Sequence, residues 1–294
     1  MVINVTVLLV VAAFWAFTFI FLKIEERTIT PITIMFGRAI IAFFALFAAS
    51  LILKKDLLSY TKDWWKFFVF ALLGITAIWI GLAFGQEYVS AGVASVIVTT
   101  TPLLTFVILV FILREEPFSI LGTAGLLIGA FGIMLVIGIS KIMDGGATLK
   151  GVLLIFGGFV SFTINGIIVG KWAKDIDPVI TSTWFLFFAS IILGALAFTF
   201  ESPMTLPWTE ATIASELALG LFCTGAGYFG YYFILHREGT YFSSFIFYFI
   251  PIFGMLAGYL LLHEKVVFSQ IIGVVAIIGG VYLVNWAKVR KVKS

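Results

Sequence analysis

Apolar residues in this chain neither alternate with polar ones nor recur once per helical turn. They come instead in long, nearly uninterrupted blocks separated by short polar connectors. The blocks run approximately Val2 to Leu22, Ile32 to Leu53, Phe67 to Tyr88, Gly92 to Leu113, Ser119 to Ser140, Gly151 to Gly170, Val179 to Phe200, Glu216 to Leu235, Tyr241 to Leu262 and Phe268 to Ala287. Each is roughly 20 residues, the length a helix needs to cross about 30 Å of hydrocarbon at 1.5 Å per residue. Continuous rather than alternating hydrophobicity selects helices over a barrel, because lipid forces every backbone polar group to find its partner within its own segment. The first block lacks a basic segment before it and is too long for a secretory leader, so it is read as a helix. The pattern predicts an all-α membrane protein with ten transmembrane helices.

Composition agrees. Of 294 residues, 62% are hydrophobic and only 11% charged, about half the charge of a soluble domain, and the mean hydropathy is +1.18. The longest polar connector runs roughly from Glu201 to Ser215 and holds Pro203 and Pro207, so no soluble domain is expected. Placing both termini in the cytoplasm puts twelve basic residues (Lys54, Lys55, Lys62, Lys66, Arg114, Lys171, Lys174, Arg237, Lys288, Arg290, Lys291, Lys293) inside and five (Lys23, Arg27, Lys141, Lys150, Lys265) outside. The positive-inside rule prefers that orientation, in a cell (plasma) membrane crossed many times. The basic tail at 289–294 reads as an orientation signal, and nothing implies a nucleic acid. Cys223 is the single cysteine, so no disulfide can form within the chain.

The chain also repeats itself. Shifting it by 149 residues lays Ser90–Glu116 over Gly239–Lys265, pairing Ser95 with Ser244, Pro102 with Pro251 and Glu115 with Glu264. Proline and glutamate are 13 residues apart in both copies. Further on the offset slips by one, so that Gly125 falls on Gly273 and Gly132 on Gly280, while Pro31 lies over Pro178 at an offset of 147. Residues 1–145 and 146–288 are thus expected to be two five-helix repeats. Five is odd, so the second copy must enter the membrane upside down relative to the first, the inverted-repeat arrangement of secondary transporters.

The stretches "FWAFTFIFLK" (Phe14–Lys23), "PITIMFGR" (Pro31–Arg38) and the two proline-helix-glutamate-helix-glycine units together resemble the drug/metabolite transporter superfamily, and within it the ten-helix EamA-type family. The first stretch is similar to the W-G-x-N-F-x-x-x-K pattern of that family's helix 1, the second to its helix-2 proline and arginine. The resemblance covers essentially the whole chain. Ala16 stands where the family has glycine, Thr18 where it has asparagine, and "HEK" (His263–Lys265) where glycine-glutamate is common. The resemblance implies two inverted repeats, transport, and an arginine, Arg38, near a membrane face.

Polar residues inside apolar blocks are the candidates for chemistry. "VTTTPLL" (Val98–Leu104) places three threonines and Pro102 within an apolar run. Proline removes a backbone hydrogen bond and frees a carbonyl; the threonines either bond back to their own helix or leave that carbonyl to a solute. Pro251 is expected to kink the matching helix, with Tyr248 opposite Thr99. Trp79 pairs with Tyr228 by the repeat, both far from the interfaces where such residues usually settle, and Thr76 shares a face with Trp79. With Tyr232, Trp15, Thr18 and Asn165, these residues predict an aromatic cavity edged by polar groups. Arg38 lies about 10 Å into its span and needs a partner: a substrate carboxylate, Glu25, Glu26 or a helix-end carbonyl. Glu87, Glu115 and Glu264 fall at helix ends and are expected to gate. No acid is expected at mid-depth, which leaves a coupling proton without an evident carrier. Gly125, Gly129, Ala276 and Gly280 form small-residue faces through which a homodimer could pack, the alternative being a monomer.

The expected function is that of a secondary transporter exporting a small organic metabolite such as an amino acid, by alternating access around a midplane cavity. Its partners are that solute, the lipid bilayer and, in a coupled mechanism, a proton. Multidrug efflux of cationic aromatic compounds is the rival and calls for a buried carboxylate; a receptor or scaffold is the more distant one. An intramembrane enzyme would need paired buried aspartates, a metal cluster or a Ser/His dyad. All five aspartates, Asp56, Asp63, Asp144, Asp175 and Asp177, lie in connectors, so no catalytic residue, metal or cofactor is expected.

Overall fold

A computed structural model describes residues 2–86, 88, 97–137, 149–262 and 267–292. Among these the regular structure is helical. The helices are α1 (Val2–Glu25), α2 (Pro31–Ile52), α3 (Trp64–Ala71, continued through a π-helical segment Leu72–Thr76 into Ala77–Gln86), α4 (Thr101–Ile112), α5 (Ile120–Ile137), α6 (Leu149–Trp172), α7 (Pro178–Phe200), α8 (Glu210–Ala218, a π-helical segment Leu219–Ala226, then onward from Gly227), α9 (Ile246–Leu262) and α10 (Phe268–Val292). α1, α2, α3, α6, α7 and α8 are long and apolar enough to cross a membrane, and α4, α5, α9 and α10 contain shorter apolar stretches.

The helix ends follow from local chemistry. α2 and α7 both start at proline, whose missing N–H is not needed in a first turn. Asp177 caps α7 by accepting the Val179 N–H at 2.8 Å, and Thr209 with Thr212 forms a capping box at the start of α8. Gly239, at φ +83°, kinks the last part of α8, Gly227–Ser244, in a conformation that only glycine adopts cheaply. Pro102 does not kink a continuous helix as expected. A break at Thr99–Thr100 precedes it, and it sits in the first turn of α4. The threonines bond backward: Thr100 Oγ1 donates to Ile97 O at 2.6 Å, Thr101 Oγ1 to Val98 O at 2.7 Å and Thr105 Oγ1 to Thr101 O at 2.9 Å. These hydroxyls cover carbonyls around the break, as a helix interrupted in lipid requires. Pro251 does lie inside α9.

Two antiparallel helix pairs show how the helices pack. α5 and α10 cross antiparallel, and a Cβ on Gly125 would lie 2.6 Å from Gly280 O while one on Gly132 would lie 2.6 Å from Gly273 O. The small-residue faces expected to serve a dimer are therefore spent against each other inside one chain. α2 and α7 also run antiparallel and are clamped at both ends. Glu201, just beyond α7, accepts the Ile32 and Thr33 N–H groups at 3.1 and 2.7 Å, a carboxylate on a helix N-terminus. At the other end Lys55 pairs with Asp177 at 2.6 Å. α1 lies against α8 and α9, and α6 against α3 and α4.

Candidate functional site

A cavity of about 150 Å³ opens between α1, α2, α3, α6, α8 and α9. Its inner wall is aromatic: Trp15, Trp79, Phe159, Phe162, Tyr228 and Phe247. Trp15 anchors it, with ring centroids 5.4 Å from Phe247, 5.6 Å from Tyr228 and 6.2 Å from Phe162. The π-helical segments of α3 and α8 supply backbone for this wall, since a wider turn leaves carbonyls free to accept side-chain donors. The Trp15 indole donates to Cys223 O at 3.1 Å, in the α8 segment. The Tyr228 hydroxyl donates to Gly74 O at 3.4 Å, in the α3 segment.

Arg38 is the buried charge of the lining, at 5% exposure; Glu26, the other charged residue there, is exposed. The Arg38 Nε donates to Thr224 Oγ1 at 2.8 Å, and its guanidinium carbon lies 4.1 Å from the centre of the Trp79 ring. A desolvated guanidinium over an indole gains about 2 kcal/mol, the upper end of such contacts. Arg38 and Trp79 thus form a single unit, cation and ring, facing one space.

Of the residues singled out in the sequence, Trp15, Thr18, Arg38, Trp79 and Tyr228 line the cavity. Thr76, Thr99, Asn165, Tyr232 and Tyr248 are buried outside it. Thr18 also bonds back to Phe14 O at 3.4 Å. Tyr248 turns away into a notch of α5, donating to Leu126 O at 3.0 Å across Gly129. Asn165 faces the α3 π-helical segment beside Gly74, and Thr76, Thr99 and Tyr232 are interior residues outside the lining. Glu115 pairs with Lys171 at 2.5 Å, joining the C-terminal ends of α4 and α6. Glu87 and Glu264 lie outside the described residues.

That ion pair stands in a second cavity, of about 390 Å³, lined also by Glu116, Lys174, His236 and Tyr241. His236 spans it, each ring nitrogen 2.6 Å from a carbonyl oxygen, of Tyr232 and of Ala173. α8 runs antiparallel to α1, Gly230 meeting Val11 and Glu238 hydrogen-bonding Asn4. The second cavity, at the C-terminal end of α8, therefore lies at the opposite end of the molecule from the first, which reaches Glu26 and Pro31 past the C-terminal half of α1.

Two acids near helix ends do reach the protein interior. Glu25 is fully buried and Glu216 is 4% exposed. The Glu216 carboxyl lies against the Cα of Gly37, filling the volume a Cβ there would occupy. Both acids stand in the field of Arg38. Sequence reasoning named Glu25 as a candidate partner of Arg38 but missed Glu216, which falls at the edge of an apolar block. The available signal was Arg38 itself, since a buried charge calls for compensation.

An all-helical, multi-span molecule with cavities at opposite ends, one built on aromatic rings and a buried arginine, belongs to the class of polytopic membrane proteins that handle small solutes. The chain is a member of the EamA-like transporter family, whose model matches it twice, over residues 3–138 and 149–286. It is 27% identical over 274 residues to the uncharacterized transporter YoaV of Bacillus subtilis, covering 93% of each chain. It is 28% identical over 282 residues to an uncharacterized transporter of Archaeoglobus fulgidus, covering 95% of this chain and 97% of the relative. A WAT1-related chloroplastic protein of Arabidopsis thaliana is 28% identical over 300 residues, covering 96% of this chain and 69% of the relative. A solved crystal structure superposes with a TM-score of 0.82 over 99% of both chains at 15% identity, a likeness of fold. The protein is a transporter and not an enzyme.

Proposed function

We propose that the protein is a secondary transporter of the plasma membrane that exports a small organic solute, such as an amino acid, by alternating access. In this reading ten helices cross the bilayer as two inverted five-helix repeats, residues 1–145 and 146–288, with both termini and the basic tail at 289–294 in the cytoplasm. The duplicated family match supports two repeats. Inversion is supported by the crossings: α2 and its counterpart α7 are antiparallel, as are α5 and its counterpart α10. Contacts also exchange under the repeat, α1 on α8 and α9 answering α6 on α3 and α4.

The observation that carries the functional reading is the aromatic cavity with Arg38 stacked on Trp79 at its wall. About 150 Å³ is the volume that holds a single six-membered ring. A one-ring or aliphatic solute therefore fits without rearrangement. Efflux of cationic aromatic compounds remains the second reading, because the buried Glu25 and Glu216 supply the negative charge it requires.

The test is a thermal-stability screen of the purified protein against aromatic and small amino acids, nucleobases, sugar derivatives and cationic aromatic drugs. A ligand at a hundred times its Kd stabilises the folded state by about 2.7 kcal/mol, which a melting curve resolves. A stabilising amino acid whose effect disappears in Trp79→Ala is the expected result. Stabilisation by cationic drugs alone would favour the second reading, and a hit indifferent to Trp79→Ala would remove the cavity from the account.

A further inference from the structure

Glu25, at the end of α1, and Glu216, one and a half turns into α8, bring two carboxyls together in the interior. Among the described residues, none of their four oxygens meets a hydrogen-bond donor in good geometry. Two carboxylates so placed cannot both stay ionised without a compensating donor, and the atom missing between two acceptors is a proton. The groups facing the pair are Arg38 and its backbone amide from α2 and Glu26 from α1; Cys223 and Tyr228 of α8 stand around Arg38. Arg38 Nε donates to Thr224 and the guanidinium lies over Trp79, and towards the two acids Arg38 acts through its charge.

We propose that Glu25 and Glu216 form a one-proton binding site that sets the charge of the transport cavity. With the proton bound, the pair carries one negative charge and Arg38 one positive, so the group is neutral. On release, one carboxyl O–H bond breaks, the proton passes to water, and the group beside the cavity becomes singly negative. Arg38 lines the cavity, so a positively charged group on the solute is favoured in the deprotonated form and opposed in the protonated form. Entry of one amine thereby accompanies loss of one proton.

Two further observations support the site. Gly37 is the residue that leaves room for the Glu216 carboxyl; any side chain there would occupy its place. Glu25 lies three residues beyond the apolar stretch Ile3–Leu22, and burial pushes its carboxyl above the usual carboxylate range against the lowering effects of Glu216 and Arg38. The coupling of this proton to solute movement rests on the transport reading, whereas the proton site itself does not.

Infrared spectroscopy of the full-length protein in lipid vesicles, with and without 13C-labelled glutamate, reads the carboxylic acid C=O band directly and needs no transport. The expected result at neutral pH is one protonated glutamate per chain, lost in Glu25→Gln and in Glu216→Gln and kept in Glu26→Gln. In each Gln variant the remaining acid faces Arg38 alone and ionises. A wild type with every glutamate ionised at neutral pH, or with two protonated, overturns the proposal, as does a band that survives in both Gln variants. If the variants fail to fold, the labelled wild type decides by itself, because it reports the number of protonated glutamates without any substitution.

Discussion

Arg38 illustrates how much a single residue discloses. Its place within an apolar block demanded compensation, and the structure provides a hydroxyl, an indole face and two acids. Removing the ring should matter for function more than for folding. Trp79→Ala, and Tyr228→Ala on the same wall, are expected to lower the initial rate of solute efflux from loaded vesicles about tenfold, the equivalent of roughly 1.4 kcal/mol, with expression unchanged. Unchanged rates in both variants would sink the cavity assignment. Gly37→Ala should lower the melting temperature, since its Cβ collides with the Glu216 carboxyl and overpacking costs about 1–3 kcal/mol; a wild-type melting curve would show that the carboxyl moves aside freely. The acids also predict a pH dependence. The native Glu25 binds its proton more tightly than the unfolded chain, whose carboxyl has the ordinary value of 4.5. That stabilisation is complete below 4.5 and is lost as the pH rises through the higher native value. The melting temperature should therefore fall with rising pH in the wild type and fall less in Glu25→Gln. Trp15, Thr18, Arg38, Trp79 and Tyr228 were legible as cavity residues because a polar or aromatic side chain far from the interfaces stands out in an apolar block. Glu216 was not, because hydropathy cannot tell an acid that ends a span from one that enters the interior.

Elements were easier to read than their ends. Block length and continuity define where helices form, and Pro31, Pro178 and Gly239 mark starts and a kink for reasons of backbone chemistry alone. The π-helical segments in α3 and α8 were invisible, since nothing in the composition of Leu72–Thr76 or Leu219–Ala226 separates them from ordinary helix. Yet they carry Gly74, Cys223 and Thr224, which hold the aromatic wall and Arg38. Pro102 was read as a kink and is a helix start, because the break before it lets the proline take a first-turn position where its missing N–H costs nothing. The tightest element contact, α5 on α10, makes its own prediction. A Cβ on Gly280 would overlap backbone of α5 around Gly125 and Gly129, and backbone cannot yield as a side-chain tip can. Gly280→Val is expected to lower the melting temperature strongly, by several kcal/mol equivalent, whereas Gly279→Val, with open space around its Cβ position, is expected to be nearly neutral. Equal effects would mean that the two helices separate at little cost.

At the scale of the whole molecule, the internal repeat was visible in sequence as a proline-to-glutamate spacing shared by two segments, and the family model matches twice; the antiparallel pairs α2 with α7 and α5 with α10 support the proposed inversion. What no sequence pattern could give is the presence of two cavities at opposite ends, one aromatic and one walled by the Glu115–Lys171 ion pair and His236. Alternating access demands that these ends open in turn. The most direct test places single cysteines at Glu26, in the first cavity, and at Lys174, in the second, in a Cys223→Ala background that removes the native thiol. Each is labelled in right-side-out and inside-out vesicles with a membrane-impermeant maleimide, with and without a stabilising solute. The account predicts that conditions which raise labelling at one position lower it at the other. Both positions labelling fully and together would contradict it, because that behaviour belongs to a continuous channel.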